Sequence, residues 1–129
     1  MIEVTLGNII NNISIFQQIS QEKSTLPAVT AYKIARIFMT LENEIKYFQD
    51  TRKTMIEKYC QRLDDGGMKV DENGNILIKE ECIDTFNKES EDLLSATLTL
   101  NVPLLKLEEL ESLNFSIEQM TALMPFIQE

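Results

Sequence analysis

Histidine and tryptophan are absent from this sequence of 129 residues, and cysteine occurs only twice. Without histidine, the chain lacks the side chain that most often serves as a general base and the most common metal ligand. Two cysteines cannot form a structural zinc site, which needs about four Cys or His ligands. The sequence also has no glycine-rich phosphate loop, nucleophile elbow or Cys–His pair. We therefore predict a protein that is not an enzyme and that binds no cofactor and no metal.

Glycine and proline are also scarce, with four and three residues, so most of the chain should form regular structure. No segment approaches the roughly 20 apolar residues of a membrane span, and no early segment joins a basic start to an apolar run. The hydrophobic content of 43% and the charged content of 26% are typical of a globular protein. We expect a single domain over residues 1–129, located in the cytoplasm and not bound to a membrane. In that reducing compartment, Cys60 and Cys82 should remain ordinary thiols.

The net charge of −9 is carried by one half of the sequence. Residues 1–65 hold eight basic and eight acidic side chains, whereas residues 66–129 hold four lysines against thirteen acidic residues. An acidic half repels the phosphate backbone, which disfavours direct nucleic-acid binding, and it suits a basic protein surface. A second interpretation is that the charge only keeps the protein in solution. The candidate partner-binding carboxylates are Glu108, Glu109 and Glu111.

One run of the sequence has a heptad pattern, with apolar residues at alternating intervals of three and four. Such a pattern places a narrow apolar stripe on one side of a helix, and that stripe must meet a partner inside or outside the chain. Pro27 suits a first helical position, so the pattern predicts a helix over residues 27–64 that ends before Gly66. The heptad positions are Ala31, Ile34, Phe38, Leu41, Ile45, Phe48, Arg52, Met55 and Tyr59.

The predicted helix is long for a chain of this size. Its length would be roughly 57 Å at about 1.5 Å per residue, so part of the stripe needs a second long element or a second copy. We therefore expect a homodimer. Arg52 interrupts the stripe and has two interpretations: its side chain extends into solvent where packing ends near Phe48, or it pairs with a carboxylate across a helical interface. Met55 and Tyr59, beyond Arg52, form a second candidate partner-binding surface.

Residues 66–79 carry the strongest local turn signal. Asn73-Gly74 separates two short apolar runs, a pattern typical of a β-hairpin. The same loop aligns with a calcium-binding EF-hand loop through Gly74, but the first ligand position is then Lys69, whose ammonium group would lie on the cation. We therefore predict a plain hairpin.

Shorter elements are predicted on both sides of the long helix. Alternating apolar residues predict strands over 2–6 and 97–102, which should form one small antiparallel sheet with the hairpin. Amphipathic patterns predict helices over 7–20 and 80–94, the first followed by a polar break over 21–25.

The C-terminal segment ends in a further predicted helix. Residues 107–113 indicate a short acidic helix or turn before it. Ser116 and Gln119 form a capping box that opens the last helix. Pro125 removes a main-chain hydrogen bond, so this helix should bend or end early.

Several short segments of the sequence, in their order and spacing, resemble those of a known protein family. The segments are Leu26-Pro27-Ala28, Ala31-Tyr32-Lys33-Ile34-Ala35, Leu41-Glu42, Glu57-Lys58-Tyr59, Asp71-Glu72-Asn73-Gly74-Asn75-Ile76, Phe86-Asn87-Lys88-Glu89 and Ala122-Leu123-Met124-Pro125-Phe126-Ile127. Taken together, they resemble a family of small phage and prophage proteins of unknown function. The resemblance implies a bacteriophage or prophage gene and a bacterial host cytoplasm, and it supplies no catalytic residues.

The sequence thus predicts a mainly α fold with minor β structure, in which shorter helices pack a long heptad-patterned helix beside a small antiparallel sheet. The leading functional hypothesis is a phage-encoded, acidic inhibitor or adaptor of host machinery for defence or nucleic-acid handling, whose carboxylates face a basic protein surface. The alternative is an accessory or assembly protein of the virion or its tail that acts through helical self-association. The predicted parts are 1–25 (strand and short helix), 27–64 (long helix), 66–79 (hairpin) and 80–129 (acidic α/β half).

Overall fold

The computed structural model describes residues 2–21, 26–111 and 113–128, so the polar break predicted after the first helix lies largely outside the described residues. Within those residues the chain is mainly α-helical with a minor β component, and the predicted fold class is confirmed.

Contacts between residues group the chain into two compact units. Unit 1 comprises Met1–Ile45 and Ala96–Glu129, and unit 2 comprises Lys46–Ser95. These units are groups of contacts within one chain, and the single domain over residues 1–129 stays a prediction.

Unit 1 contains the predicted N-terminal strand and helix. β1 (Ile2–Thr5) pairs antiparallel with β2 (Thr97–Leu100), and α1 (Leu6–Gln21) follows β1 directly. The N–H of Leu6 still donates to the carbonyl of Ala96, which continues the pairing into the start of the helix. This sheet has two strands. The prediction that the hairpin joins it is wrong, because the hairpin residues pair with the segment that follows the long helix.

The long helix, α2, spans Ala28–Tyr59, so it starts one residue after the predicted Pro27 and ends five residues before the predicted Asp64. The N–H of Cys60 still donates to the carbonyl of Ile56, as in a helix. The N–H of Gln61 donates instead to the carbonyl of Leu77, 2.8 Å away, because the chain has turned into a β-type pairing. The predicted helix over 60–64 is therefore wrong, since long-range pairing replaces the local hydrogen bonds.

The buried face of α2 in unit 1 is broader than the heptad stripe. Ile34 and Leu41 are buried as predicted, whereas Ala31 and Phe38 are half-buried. Ile37, which lies outside the heptad pattern, is 0% exposed. The core around α2 comes from short helices and strands rather than from one parallel partner helix, so burial follows the wider face of a 3.6-residue period.

The core of unit 1 combines buried side chains from β1, α1, α2, β2 and the C-terminal segments. The rings of Phe16 and Phe126 meet edge to face with their centroids 5.5 Å apart. The largest fully buried side chains in this core are Phe16, Ile19, Ile34, Ile37, Leu41, Leu105, Leu110 and Leu123.

The C-terminal part of unit 1 contains a second, unpredicted strand pair. β3 (Leu105–Lys106) lies parallel to β4 (Ile127–Gln128), and each has two residues. Strands this short carry no alternation of apolar and polar residues that a sequence could reveal. α4 (Leu107–Glu111) follows β3 directly and is the predicted short acidic helix.

The last helix, α5, spans Ile117–Leu123 and begins at the predicted capping box. The hydroxyl of Ser116 accepts from the N–H of Gln119, and the Gln119 side chain accepts from the N–H of Ser116. The α-helix ends before Pro125 and continues as one 3₁₀ turn, Met124–Phe126. Both the cap and the early end are confirmed.

Unit 2 contains three short segments that pair with one another in a closed arrangement, which we call the β ring: residues 60–62, 68–70 and 76–78. Each segment forms one antiparallel bridge with each of the other two. The predicted hairpin supplies one of these bridges and is confirmed. The bridges join Cys60 to Ile78, Arg62 to Met68, and Val70 to Ile76.

The hydrogen bonds of the β ring form a cycle. The N–H of Gln61 donates to the carbonyl of Leu77, that of Leu77 to the carbonyl of Lys69, and that of Lys69 to the carbonyl of Gln61, over 2.8–2.9 Å. These three residues are spaced eight apart in the sequence. Gly66 and Gly74, also eight apart, adopt φ values of 88° and 83° in the two tight turns, a region that favours glycine. The two glycines eight residues apart are therefore the sequence signal of the ring.

The β ring leads into the remaining helix of unit 2. A 3₁₀ turn, Glu80–Cys82, is followed by α3, Ile83–Ser95, close to the predicted 80–94. Cys60 is buried and Cys82 is half-buried, and both are free thiols.

Candidate interaction surface

Lys33 on α2 and Glu109 on α4 form an ion pair that joins these two helices within unit 1. The Nζ atom of Lys33 lies 2.9 Å from Oε1 and 3.2 Å from Oε2 of Glu109. Oε2 also accepts from the N–H of Lys106, at 2.8 Å. This main-chain N–H, followed by the Lys33 ammonium group, holds the pKa of Glu109 below its usual value. Glu109 therefore fixes the start of α4 against α2, and its carboxylate is already bound by Lys33 and Lys106 of unit 1.

The other two predicted carboxylates of α4 have a different environment. Glu108 and Glu111 are exposed to solvent. The contact of Glu109 with Lys33 holds α4 against α2, and the two exposed carboxylates can meet a cation of another molecule. Sequence reasoning thus identified the acidic helix but could not separate the structural carboxylate from the two exposed ones.

The solvent side of α2 in unit 1 carries three large apolar side chains. Val29, Tyr32 and Met39 are each 62–64% exposed. Tyr32 lies two residues from buried Ile34, about 200° around the helix, so this stripe faces away from the core. The guanidinium carbon of Arg36 lies 6.0 Å from the centroid of the Tyr32 ring, at the limit of a cation–π contact.

The apolar stripe and the acidic helix are connected through Lys33. Val29 is one helical turn before Lys33, whose ammonium group contacts α4, so the stripe begins next to that helix. We call the surface formed by Val29, Tyr32, Met39, Glu108 and Glu111 the α2–α4 face. The heptad pattern missed its apolar members because they fall between the heptad positions. Their intervals of three and seven residues were the available signal.

The second predicted surface was Met55 and Tyr59 at the end of α2, and Tyr59 is covered by other residues of unit 2. Tyr59 is 8% exposed, and its ring meets Phe86 edge to face with the centroids 6.3 Å apart. Its hydroxyl donates to Oε1 of Glu89 over 2.8 Å. Met55 is half-buried. The prediction that Tyr59 serves a partner is therefore corrected, because a buried and hydrogen-bonded side chain is not available to one.

The hairpin loop that resembles a calcium site uses its first carboxylate to form the turn. Oδ1 of Asp71 accepts from the N–H groups of Asn75 and Asn73, at 2.9 and 2.8 Å. The Asn75 N–H in particular holds the pKa of Asp71 below its usual value. Over residues 2–21, 26–111 and 113–128, no three Cys, Asp or Glu side chains come together as metal ligands would.

No protein-family model matches this sequence, and no curated protein or solved structure is significantly similar to it. Of the helices in the described part of the chain, none combines the length and the apolar character needed to span a membrane.

Proposed function

We propose that the protein is a non-enzymatic binding protein that presents the α2–α4 face of unit 1 to a basic surface of another protein. The observation that supports this proposal is the stripe of Val29, Tyr32 and Met39 on the side of α2 opposite the core, together with the exposed carboxylates of α4, a helix that the Lys33–Glu109 pair holds against α2. Aromatic and methionine side chains are enriched at protein interfaces, where they lose water on binding.

The charges of the face favour a cationic partner. Glu108 and Glu111 are exposed and outnumber Arg36, the exposed cation beside Tyr32, whereas Lys33 is already paired with Glu109. The chain as a whole carries a net charge of −9, which attracts a basic protein over a distance and repels nucleic acid. In this proposal the apolar stripe provides the contact area, and the carboxylates orient the basic partner and raise the rate of association.

The biological setting of the proposal rests on the resemblance to small phage and prophage proteins. In that setting, the partner is a basic protein of the bacterial host, and this chain acts as an inhibitor or adaptor of machinery that defends the cell or handles nucleic acid. Basic grooves are common in such machinery because they bind phosphate backbones.

The apolar part of the face also favours the second candidate, a virion or tail assembly protein that works through self-association. A stripe on one helix can pair with the same stripe of a second copy about a twofold axis. Sedimentation of the purified protein separates the candidates: a dimer that Tyr32→Ser dissociates supports self-association, whereas a monomer at all concentrations supports a different partner.

Site-specific photocrosslinking during infection tests the leading proposal. A photoreactive phenylalanine analogue at Tyr32 should crosslink to one protein, whereas the same analogue at Tyr47, 63% exposed but in unit 2, should not. The affinity for the captured protein should then fall with rising salt and with Glu108→Lys/Glu111→Lys. Equal crosslinking from both positions, or an affinity that neither salt nor charge reversal alters, contradicts the proposal.

Deletion of the gene distinguishes the two biological settings. In a host that lacks the targeted machinery, the inhibitor or adaptor proposal expects normal particles and normal growth. The assembly proposal expects defective particles in every host.

A further inference from the structure

Unit 2 contains a cavity of about 290 Å³ whose lining combines one cation with an apolar floor. The floor is formed by four half-buried side chains, and Arg52 is the charged member of the lining. The four apolar side chains are Ile56, Ile76, Ile78 and Phe86.

The walls of the cavity are held in place by contacts already described. Ile76 and Ile78 belong to the β ring, where they are bridged to Val70 and Cys60. Phe86 packs edge to face against Tyr59, whose hydroxyl is fixed by Glu89. The cavity is therefore formed before any ligand arrives, which reduces the entropy lost on binding.

Arg52 is available to a ligand. Among the residues that the structure describes, no carboxylate lies within ion-pair distance of its guanidinium group. Two acids of unit 2 are engaged elsewhere, since Glu89 accepts from Tyr59 and Asp71 accepts from its own turn. Arg52, which interrupts the heptad pattern, thus lines a cavity whose other lining residues include no carboxylate.

The remaining polar groups of the lining favour a ligand with a single polar end. The N–H of Gly74 donates to the carbonyl of Asp71, and both main-chain groups of Asn75 also pair with Asp71. The N–H groups of Gly74 and Asn75 are therefore engaged and not free to bind the carbonyl groups of a peptide. The volume lies at the lower end of the range of about 300–1,000 Å³ for small-molecule sites, which also favours a small ligand.

We propose that this cavity binds a small aliphatic carboxylic acid, with the guanidinium group of Arg52 holding the carboxylate and the apolar floor covering the hydrocarbon chain. Arg binds a carboxylate through two parallel hydrogen bonds, and this geometry selects an anion over an alcohol or an amine. The proposal is independent of the α2–α4 face, which belongs to unit 1.

Titration of the full chain with sodium octanoate, followed by amide NMR shifts and calorimetry, tests the proposal. Octanoate should bind saturably in a 1:1 complex and shift the amides of Ile76, Ile78 and Phe86. Arg52→Gln should weaken octanoate binding about tenfold, because it removes a charge-assisted hydrogen bond, and should leave octan-1-ol binding unchanged. Lys53→Gln is the matched control, since it removes the same charge from a neighbouring exposed residue outside the lining.

A series from hexanoate to decanoate tests the apolar floor. Each added methylene should strengthen binding about fourfold until the cavity is full. The absence of saturable shifts, equal weakening by Lys53→Gln, or equally tight binding of octylammonium overturns the proposal. A peptide with a free apolar carboxyl terminus that binds more tightly than octanoate overturns it in favour of a protein ligand.

Discussion

The side chains of Lys33 and Glu109 are 76 positions apart in the sequence, and their charged atoms lie 2.9 Å apart in unit 1. The pair is only partly shielded, because the two side chains are about one fifth exposed. Oε2 of Glu109 also accepts from the N–H of Lys106, which precedes α4, so one carboxylate joins the start of that helix to the second turn of α2. Glu109 is therefore a structural residue within the acidic segment.

A double-mutant cycle should measure this pair. Lys33→Met and Glu109→Gln remove the two charges singly and together, and urea unfolding gives the free energy of each variant. We expect a coupling of about 1 kcal/mol, since partly exposed ion pairs contribute at this level. The same cycle on Lys33 and Glu108 is the control and should show no coupling. A coupling of equal size there would mean that the general negative charge of α4, rather than the contact, is responsible.

The pKa of Glu109 makes the stability of unit 1 depend on pH. Its pKa is lower in the folded state than in the unfolded state, so the folded state favours the ionised carboxylate. The resulting stability is fully present above the ordinary glutamate pKa of about 4.3 and is lost as the pH falls through the lower folded value. The difference in unfolding free energy between the wild type and Glu109→Gln should therefore be larger at pH 7 than at pH 3. A difference that does not change over this interval contradicts the assignment.

Local patterns predicted the helices, the turn and the caps because the interactions that form them join residues near in sequence. Ser116 and Gln119, three residues apart, are one example. The end of α2 depends on a partner 16 positions away, because the N–H of Gln61 finds the carbonyl of Leu77. Pairing over that distance leaves no periodic signal in the helix itself, so the predicted helix continued too far.

The β ring depends on the glycines of its two turns, and Gly74 provides a direct test. A Cβ atom at this position would meet no neighbouring atom, so the effect of a substitution comes from its φ of 83° alone. Gly74→Ala should destabilise the protein by about 1–2 kcal/mol, the cost of a left-handed conformation for an L-residue. Gly74→Asn should cost less, since asparagine adopts this conformation more readily. Equal losses for the two variants in urea unfolding contradict this explanation.

The candidate surfaces were predictable in part. Glu108 and Glu111 follow from the charge distribution and are exposed, whereas Tyr59 followed from the heptad pattern and is buried. The difference has a physical origin, because a heptad position tells which side of a helix is apolar but not whether another segment covers it. Phe86, which covers Tyr59, is 27 positions further along and was not predicted to contact it.

The hydroxyl of Tyr59 should contribute measurably to stability. It donates to Oε1 of Glu89 over 2.8 Å, and hydrogen bonds to charged groups contribute about 1.5–3 kcal/mol. Tyr59→Phe keeps the edge-to-face contact with Phe86 and removes only this bond, so we expect a loss of about 1.5 kcal/mol in unfolding free energy. Tyr47→Phe is the matched control, because the Tyr47 side chain is 63% exposed, and its effect should stay within about 0.5 kcal/mol. If Tyr59→Phe is no more destabilising than Tyr47→Phe, the hydroxyl of Tyr59 is hydrated in solution and does not bind Glu89.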